Sequence, residues 1–166
     1  MNSTATVTVD RPDMGDTDRL IELWIALVHD QHQYGTALLA DENEDVARER
    51  FAFLRTIDGI RVARVAGEVV GFVTFERRLD AFKYSASFGV IQNLFVEESM
   101  RDRGIGTRLL DAAETVLRDR GAERIRLEVL IHNERARSFY VDRGYDPQRI
   151  TLEKVPQTDT HNGSDP

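Results

Sequence analysis

The stretch Val96-Glu-Glu-Ser-Met-Arg-Asp-Arg-Gly-Ile-Gly106 decides the fold, because it joins an apolar, strand-like run to the clearest amphipathic helix pattern of the chain. The order of residues in this stretch predicts the end of a strand, then a polar loop, and then a helix that begins at two glycines. The first turn of a helix leaves backbone N–H groups unpaired and carries the positive end of the helix dipole. Gly104 and Gly106 let an anion approach those amides closely. Since Arg101 and Arg103 add positive charge, the stretch is built like a phosphate-binding site.

The length and composition of the chain limit the classes of protein to which it can belong. The 166 residues predict a single domain over residues 1–155 and a polar, disordered tail over residues 156–166. The absence of cysteine excludes disulfides, thiolate zinc sites and a cysteine nucleophile. A net charge of -7 argues against nucleic acid as a partner. No apolar run approaches the ~20 residues of a membrane span, so we expect a cytoplasmic protein without a membrane partner.

Hydrophobic periodicity predicts six strands and four helices. The predicted strands cover residues 5–9, 60–66, 69–75, 86–96, 125–131 and 149–155. The predicted helices run from a cap at residue 16 or 17 to residue 32, over residues 42–55 and 104–120, and from a cap at residue 133 to residue 143. Val46, Phe51 and Leu54 are expected on one side of the second helix. The order β-α-α-β-β-β-α-β-α-β indicates a mixed α/β (α+β) fold, with a largely antiparallel sheet flanked by helices. The helix after Gly104 should make the two strands around it parallel through a crossover.

The glycine-rich loop has several interpretations. A strand-to-helix turn can use glycine for its geometry alone. A dinucleotide site requires a third glycine three residues after Gly106, where this chain has Leu109. A Walker A loop requires Gly-Lys-Ser/Thr, which is also missing.

Two motifs together resemble the GNAT superfamily of acyl-CoA-dependent N-acetyltransferases. The first is a strand ending in valine, four intervening residues, then Arg-x-x-Gly-x-Gly at a helix start, and here it is Val96, Arg101, Gly104 and Gly106. The second is Asn-x-x-Ala-x-x-x-Tyr-x-x-x-Gly-Tyr, and here it is Asn133, Ala136, Tyr140, Gly144 and Tyr145. The two motifs cover residues 88–146, and their joint occurrence is more specific than either alone. The order of predicted elements also fits the family from the first strand to the last.

The resemblance implies acetyl-CoA as the acyl donor. Backbone amides of residues 103–107 would hold the pyrophosphate of coenzyme A at the helix N-terminus. Backbone groups of residues 94–96 would pair with the pantetheine arm, in a gap where this strand and the next one separate. One of these strand amides could donate to the thioester oxygen. The implied cofactor-binding residues are Leu94, Phe95, Val96, Arg101, Arg103, Gly104, Ile105, Gly106, Thr107 and Asn133, the last of which also suits a helix N-cap.

The implied reaction is direct attack of a primary amine on the acetyl thioester. Tyr140 lies where the family places its general acid. A phenol with a pKa near ~10 is protonated at neutral pH, and a thiolate whose thiol pKa is ~8.5 can draw that proton. The alternative is that Tyr140 packs with Phe139 against the sheet.

The sequence leaves the general base unassigned. Many family members carry an acid three residues before the strand valine, where this chain has the neutral Asn93. Other candidates are Glu76, Asp80, Glu128, His29 and His32. Proton removal through water would need no dedicated base. The predicted acceptor-side residues are His32, Tyr34, Glu76 and Asn93, and the two histidines lack a third ligand for a metal site.

These observations lead to an N-acetyltransferase acting on a small-molecule or peptide amine, with no metal. The acidic composition favours a cationic acceptor. An acyl-CoA-binding sensor without turnover is a second hypothesis, because Asn93 replaces an acid. A nucleotide-binding module is a third. The resemblance also allows a homodimer.

Overall fold

The computed structural model describes residues 6–80 and 82–156, and this part contains five strands and four α-helices. The strands are β1 (Val7–Asp10), β2 (Ile60–Val65), β3 (Glu68–Arg77), β4 (Phe88–Val96) and β5 (Arg124–Leu127). The helices are α1 (Thr17–His32), α2 (Glu44–Thr56), α3 (Ile105–Asp119) and α4 (Glu134–Val141). A first compact unit ends at Asn133, and α4 begins a second one. Residue 5 of the first predicted strand, and the predicted tail after residue 156, lie outside the described residues.

The five strands form one sheet in the order β1 to β5. Neighbouring strands are antiparallel except for the parallel pair of β4 and β5, which α3 connects. A parallel neighbour can be reached only by a crossover, so this pair depends on the helix. The predicted mixed α/β fold and its parallel pair are confirmed. β2 and β3 form a hairpin, since they pair antiparallel across the two residues Ala66 and Gly67.

Side chains on the two faces of the sheet meet different helices. Phe72 of β3 contacts Phe51 of α2 and Phe95 of β4, with ring centroids 5.6 and 6.4 Å away. The preceding residue, Gly71, faces Leu109 of α3, because successive strand residues point to opposite faces. The sheet therefore lies between α2 on one face and α3 on the other. In this arrangement the N-terminus of α3 lies beside the end of β4.

The predicted apolar side of α2 is partly wrong. Phe51 and Leu54 are buried as expected, but Val46 is exposed and Ala47 is buried in its place. One helical position corresponds to a rotation of about 100°. With many charged neighbours, the periodicity did not distinguish these two adjacent residues.

Two predicted strands differ from the structure at the C-terminal side. β5 ends at Leu127 rather than at residue 131, and residues 149–155 form no strand within the described part of the chain. Ile150 and Leu152 alternate as a strand would, yet 77% and 89% of their surfaces are exposed. A period of two indicates a strand only where a neighbouring strand supplies hydrogen bonds and another layer covers one face. The predicted final strand is therefore wrong for this structure.

Asp58, in the connection from α2 to β2, forms ion pairs with three arginines. Its carboxylate lies 2.8 Å from Arg11 Nε, 2.7 Å from Arg61 Nη1 and 3.0 Å from Arg120 Nη2. Burial by itself would raise the pKa of this carboxyl, but the hydrogen bond from Arg61 and the three positive charges lower the pKa below its usual value. The cluster joins the ends of β1 and α3 to the start of β2.

We expect Asp58→Asn to lower the free energy of unfolding by about 1–3 kcal/mol, because three guanidinium groups lose their common carboxylate. Urea unfolding at pH 7 measures this difference. Since the pKa of Asp58 is lowered by folding, its contribution is present at neutral pH and disappears as the pH falls below about 4. Glu22→Gln, at a largely exposed carboxylate paired with Arg19, is the control and should change stability by less than about 0.5 kcal/mol. Equal effects of the two substitutions would contradict the role of the cluster.

Candidate functional site

The N-terminus of α3 opens on a glycine in the left-handed conformation. Gly104 has φ +75° and ψ +8°, and it supplies no side-chain hydrogen bond to cap the helix. A Cβ placed on Gly104 would meet no atom within 4 Å, so the space in front of this turn is open. A helix has no internal acceptors for its first N–H groups, and here those include Ile105 and Gly106. The turn thus presents backbone donors and the positive end of the helix dipole at an open surface.

Arg101 lies in the loop between β4 and α3, and contacts with both β4 and α1 hold its side chain in place. Its Nε donates a hydrogen bond to the carbonyl oxygen of Val96 at 3.0 Å, and its Nη2 lies 3.4 Å from Asp30 Oδ2 on α1. The guanidinium also lies over the Phe95 ring, 5.5 Å from its centroid. These contacts join the end of β4 to α1. Arg101 therefore has a bracing role in the loop, which its sequence position did not reveal.

Arg19 of α1 forms a second brace. Its Nε donates to the carbonyl oxygen of Val69 on β3, and its Nη2 donates to Glu97 Oε1 at 3.1 Å. The backbone N–H of Glu97 donates to the carbonyl oxygen of Val70 at 2.8 Å. The start of the loop is thereby attached to β3 and α1, so the first turn of α3 begins from a constrained backbone.

Arg103 differs from both braces. It is exposed next to Gly104, and within residues 6–80 and 82–156 it makes no hydrogen bond or ion pair. An unpaired guanidinium keeps all five of its donors for a ligand. Among the two arginines that the sequence singled out, Arg103 is the one whose charge is available at the open turn.

The edge of β4 is only partly covered by β5. The parallel ladder joins residues 88–91 of β4 to Arg124–Leu127 of β5 and then stops. β4 continues to Val96, and there it pairs on its other side with β3. On the β5 side, the backbone of residues 92–96 is left outside the ladder. This stretch without a β5 partner, residues 92–96, is the gap beside β4. The loop that precedes α3 follows it directly in the chain.

A β-bulge occurs where the gap begins. Thr74 of β3 pairs with Asn93 and Phe75 pairs with Ile91, so Gln92 is the extra residue of β4. The Nδ2 of Asn93 donates to Thr74 Oγ1 at 2.9 Å. Thr74 is fully buried among apolar neighbours. The amide at the position where the family often has an acid therefore has a structural hydrogen bond and no charge.

Glu76 lies on the same strand as Thr74 and is engaged by two side chains. Its Oε1 accepts a hydrogen bond from Gln92 Nε2 at 2.6 Å, and its Oε2 lies 2.9 Å from Arg50 Nη2 of α2. Sequence reasoning included Glu76 but missed Arg50, Gln92 and Thr74. Thr74 could have been noticed from the sequence, because it is a single threonine within the apolar run of β3. A bulge is not visible in the periodicity of a sequence. The contacts of Arg50 and Gln92 with Glu76 are therefore seen only in the tertiary structure.

The other acceptor-side candidates lie at the end of α1 and after it. The Nε2 of His32 is 2.8 Å from the carbonyl oxygen of Leu38, so the ring must carry its proton on Nε2 to donate there. His29 lies beside it, with ring centroids 5.8 Å apart, and Tyr34 is half-buried. Asp80, a candidate base, is paired with Arg78 at 2.9 Å, and Glu128 is exposed after β5.

The second motif spans the boundary of the two units. Asn133 is the last residue of the first unit, and its N–H donates to the carbonyl oxygen of Leu130 at 2.9 Å. Tyr140 lies on α4 in the second unit, with Phe139 and Tyr145 packed edge-on to its ring at 5.2 and 5.7 Å. Burial raises the pKa of Tyr140 to about 12. Its hydroxyl is therefore protonated throughout the neutral range.

The family model described as the acetyltransferase (GNAT) family matches residues 21–145, which include most of α1, the bulged strand, the open turn of α3 and all of α4. The chain belongs to this family. A GNAT relative, an uncharacterized N-acetyltransferase of Archaeoglobus fulgidus, is 29% identical over 134 residues, which are 80% of this chain and 88% of the relative. The resemblance proposed from the two motifs is thus confirmed, and so is membership in a family of N-acetyltransferases.

Two further proteins are similar to this chain, one in sequence and one in fold. An aminoalkylphosphonate N-acetyltransferase of Salmonella typhimurium is 34% identical over 95 residues, 57% of this chain and 61% of the relative. Three other curated relatives are matched over 57–65% of their own length. The structure of an aminoglycoside N-acetyltransferase in complex with CoA has a TM-score of 0.73, with 14% identity, and covers 95% of this chain and 99% of the other. At that identity the likeness establishes the fold.

Within residues 6–80 and 82–156, no three histidine, aspartate or glutamate side chains are grouped so as to hold a metal ion. Within the same residues, every helix is too short or too polar to cross a membrane.

Proposed function

We propose that this chain transfers an acetyl group from acetyl-CoA to a primary amine by direct attack. One juxtaposition supports the proposal most: the uncovered edge of β4 leads within one loop to the open N-terminus of α3. An extended amide-bearing arm and a pyrophosphate, joined as they are in coenzyme A, match these two features in order. The open space in front of Gly104 and the donors of Arg103 fit a ligand with several negative charges.

The proposed contacts of the donor follow from these groups. Amides of residues 103–107 would hold the pyrophosphate, and Arg103 would add a charged contact. Backbone groups of residues 94–96 would pair with the pantetheine arm as an added strand, and Asn133 would contact the cofactor. When bound, acetyl-CoA supplies an activated acyl thioester. A β4 amide near Leu94 is suited to donate to the thioester oxygen as negative charge develops there.

Tyr140 is proposed to assist the departing sulfur. Full proton transfer from a phenol of pKa about 12 to a thiolate whose thiol pKa is ~8.5 would be uphill by roughly 5 kcal/mol in water. We therefore assign the hydroxyl a hydrogen bond to the sulfur as the C–S bond breaks. The new C–N bond forms from the nitrogen lone pair as the C–S bond breaks, water takes the proton lost by nitrogen, and the departing thiolate takes a proton from water, so the protons balance.

A dedicated base is not needed in this scheme. Asn93 is neutral and hydrogen-bonded to Thr74, and Glu76 is paired with Arg50. An amine that arrives neutral, or that loses its proton to water, satisfies the balance. This predicts that the rate rises with pH through the pKa of the acceptor amine.

An acetyl-CoA-dependent screen across amine classes tests the function. Release of free coenzyme A thiol should depend on both the protein and an amine, and the N-acetylated product should appear in equal amount. Small-molecule and peptide amines are both included. Binding of acetyl-CoA without thiol release for every amine would overturn the enzymatic proposal in favour of an acyl-CoA sensor. Equal competition by ATP or NAD would overturn the coenzyme A assignment.

A further inference from the structure

Arg50, Glu76 and Gln92 form a charged cluster at the bulge of β4. Arg50 comes from α2, Glu76 from β3, and Gln92 is the bulge residue of β4. The two charged groups are 2.9 Å apart, and 41% of the Arg50 side chain and 31% of the Glu76 side chain are exposed. A cation and an anion are thus presented together at an accessible surface.

The position of the cluster connects it to the proposed reaction. Thr74 and Glu76 lie on the same face of β3, and they contact the adjacent β4 residues Asn93 and Gln92. The ladder between β4 and β5 ends at Ile91, one residue before the bulge. Bulges often re-aim side chains beside active sites. The cluster therefore borders the uncovered part of β4, where the thioester is proposed to lie.

The Arg50–Glu76 ion pair is easily exchanged. A pair this exposed contributes little to folding, because both groups are well solvated when apart. A molecule with both an ammonium and an anionic group can replace the internal pair by two new ones, leaving no charge uncompensated. An amine without an anion would leave Arg50 unpaired, and a diamine would place a second cation near Arg50. A guanidinium forms paired hydrogen bonds with carboxylate or phosphonate oxygens.

On the basis of the proposed function, we propose that the acceptor is a zwitterionic amine. Arg50 binds its carboxylate or phosphonate, and Glu76, held by Gln92, pairs with the ammonium, which loses a proton to water before the neutral amine attacks. Arg50 is thereby a specificity-determining residue, with no part in the bond changes themselves.

Matched acceptors test this inference. Propylamine, 1,3-diaminopropane, β-alanine and 2-aminoethylphosphonate share a short chain and differ in charge. The two zwitterions should have kcat/KM values at least roughly tenfold above those of propylamine and the diamine. Arg50→Met should abolish this preference by raising KM for the zwitterions, so that their kcat/KM values no longer exceed those of propylamine and the diamine. Arg50→Lys should restore part of it.

Arg48→Met is the control variant, because Arg48 is also on α2, has the same 41% exposure and pairs with Asp18 and Glu44. It should keep the preference. Calorimetric binding of 2-aminoethylphosphonate to the protein with coenzyme A present gives a readout that needs no turnover. Saturable binding that Arg50→Met weakens and Arg48→Met does not would support the inference even if no amine were acetylated, an outcome that counts against the enzyme alone. Acceptor binding that is indifferent to the anionic group, or to Arg50, would overturn it.

Discussion

Gly104→Glu should lower the affinity for coenzyme A at least about a hundredfold, which corresponds to roughly 2.7 kcal/mol. The glutamate would carry a negative charge at the open turn where the pyrophosphate is proposed to bind. Its side chain would also fill the space in front of the first amides of α3. Repulsion between like charges and loss of the helix N-terminal donors act in the same direction. Isothermal titration with coenzyme A measures the effect.

Gly121→Glu is the matched control, because Gly121 has a similar positive φ at the other end of the same helix. The φ values are +75° at Gly104 and +84° at Gly121, and a Cβ at either position meets no atom within 4 Å. Both substitutions therefore cost about 1–2 kcal/mol of backbone strain. Urea unfolding should show similar destabilisation, while only Gly104→Glu loses ligand affinity. Coenzyme A binding that survives in Gly104→Glu would mean that the turn does not hold phosphate.

Tyr140→Phe should lower kcat by about 10²- to 10³-fold and leave the affinity for coenzyme A nearly unchanged. The substitution keeps the ring, which packs against Phe139 and Tyr145, and removes the hydroxyl proposed to stabilise the leaving sulfur. Single-turnover thiol release, with binding measured separately, distinguishes the two effects. Tyr145→Phe removes a hydroxyl from the neighbouring ring and should retain most of the activity.

The pH profile gives an independent check on Tyr140. Because burial raises the pKa of Tyr140 to about 12, the protonated and active form persists as the pH increases through 10. Activity dependent on this hydroxyl is lost only as the pH rises through about 12. We expect kcat to show no descending limb between pH 8 and pH 10. A fall near pH 10 that disappears in Tyr140→Phe would contradict the burial of this phenol.

Prediction from sequence succeeded where the deciding interactions are local. The end of β4, the glycine-opened turn and α3 follow one another within residues 88–119, and the crossover then requires β5 to be parallel to β4. It was less successful where a residue depends on a distant partner. The alternation of residues 149–155 predicts a strand, but strand formation requires another strand beside it, and the described residues provide none there.

Arginines show the same division between local and distant information. The sequence predicted the same role for Arg101 and Arg103, as positive charges at the phosphate-binding loop. The structure separates them, since Arg101 is engaged by Val96 and Asp30 while Arg103 is exposed without a partner in the described residues. The partner Asp30 lies 71 residues earlier in the chain. No local pattern encodes such a contact.

The amino-acid sequence alone determined the family, the mixed α/β fold and the turn between Val96 and Gly106. These rest on glycine positions, motif spacing and apolar periodicity, which act over a few residues. Only the tertiary structure decided where β5 leaves β4, how Asn93 is hydrogen-bonded, and that Arg50 meets Glu76. Those features depend on the register of neighbouring strands and on a single-residue bulge. A shift of one residue reverses the face of every side chain that follows, so they exist only once the sheet has formed.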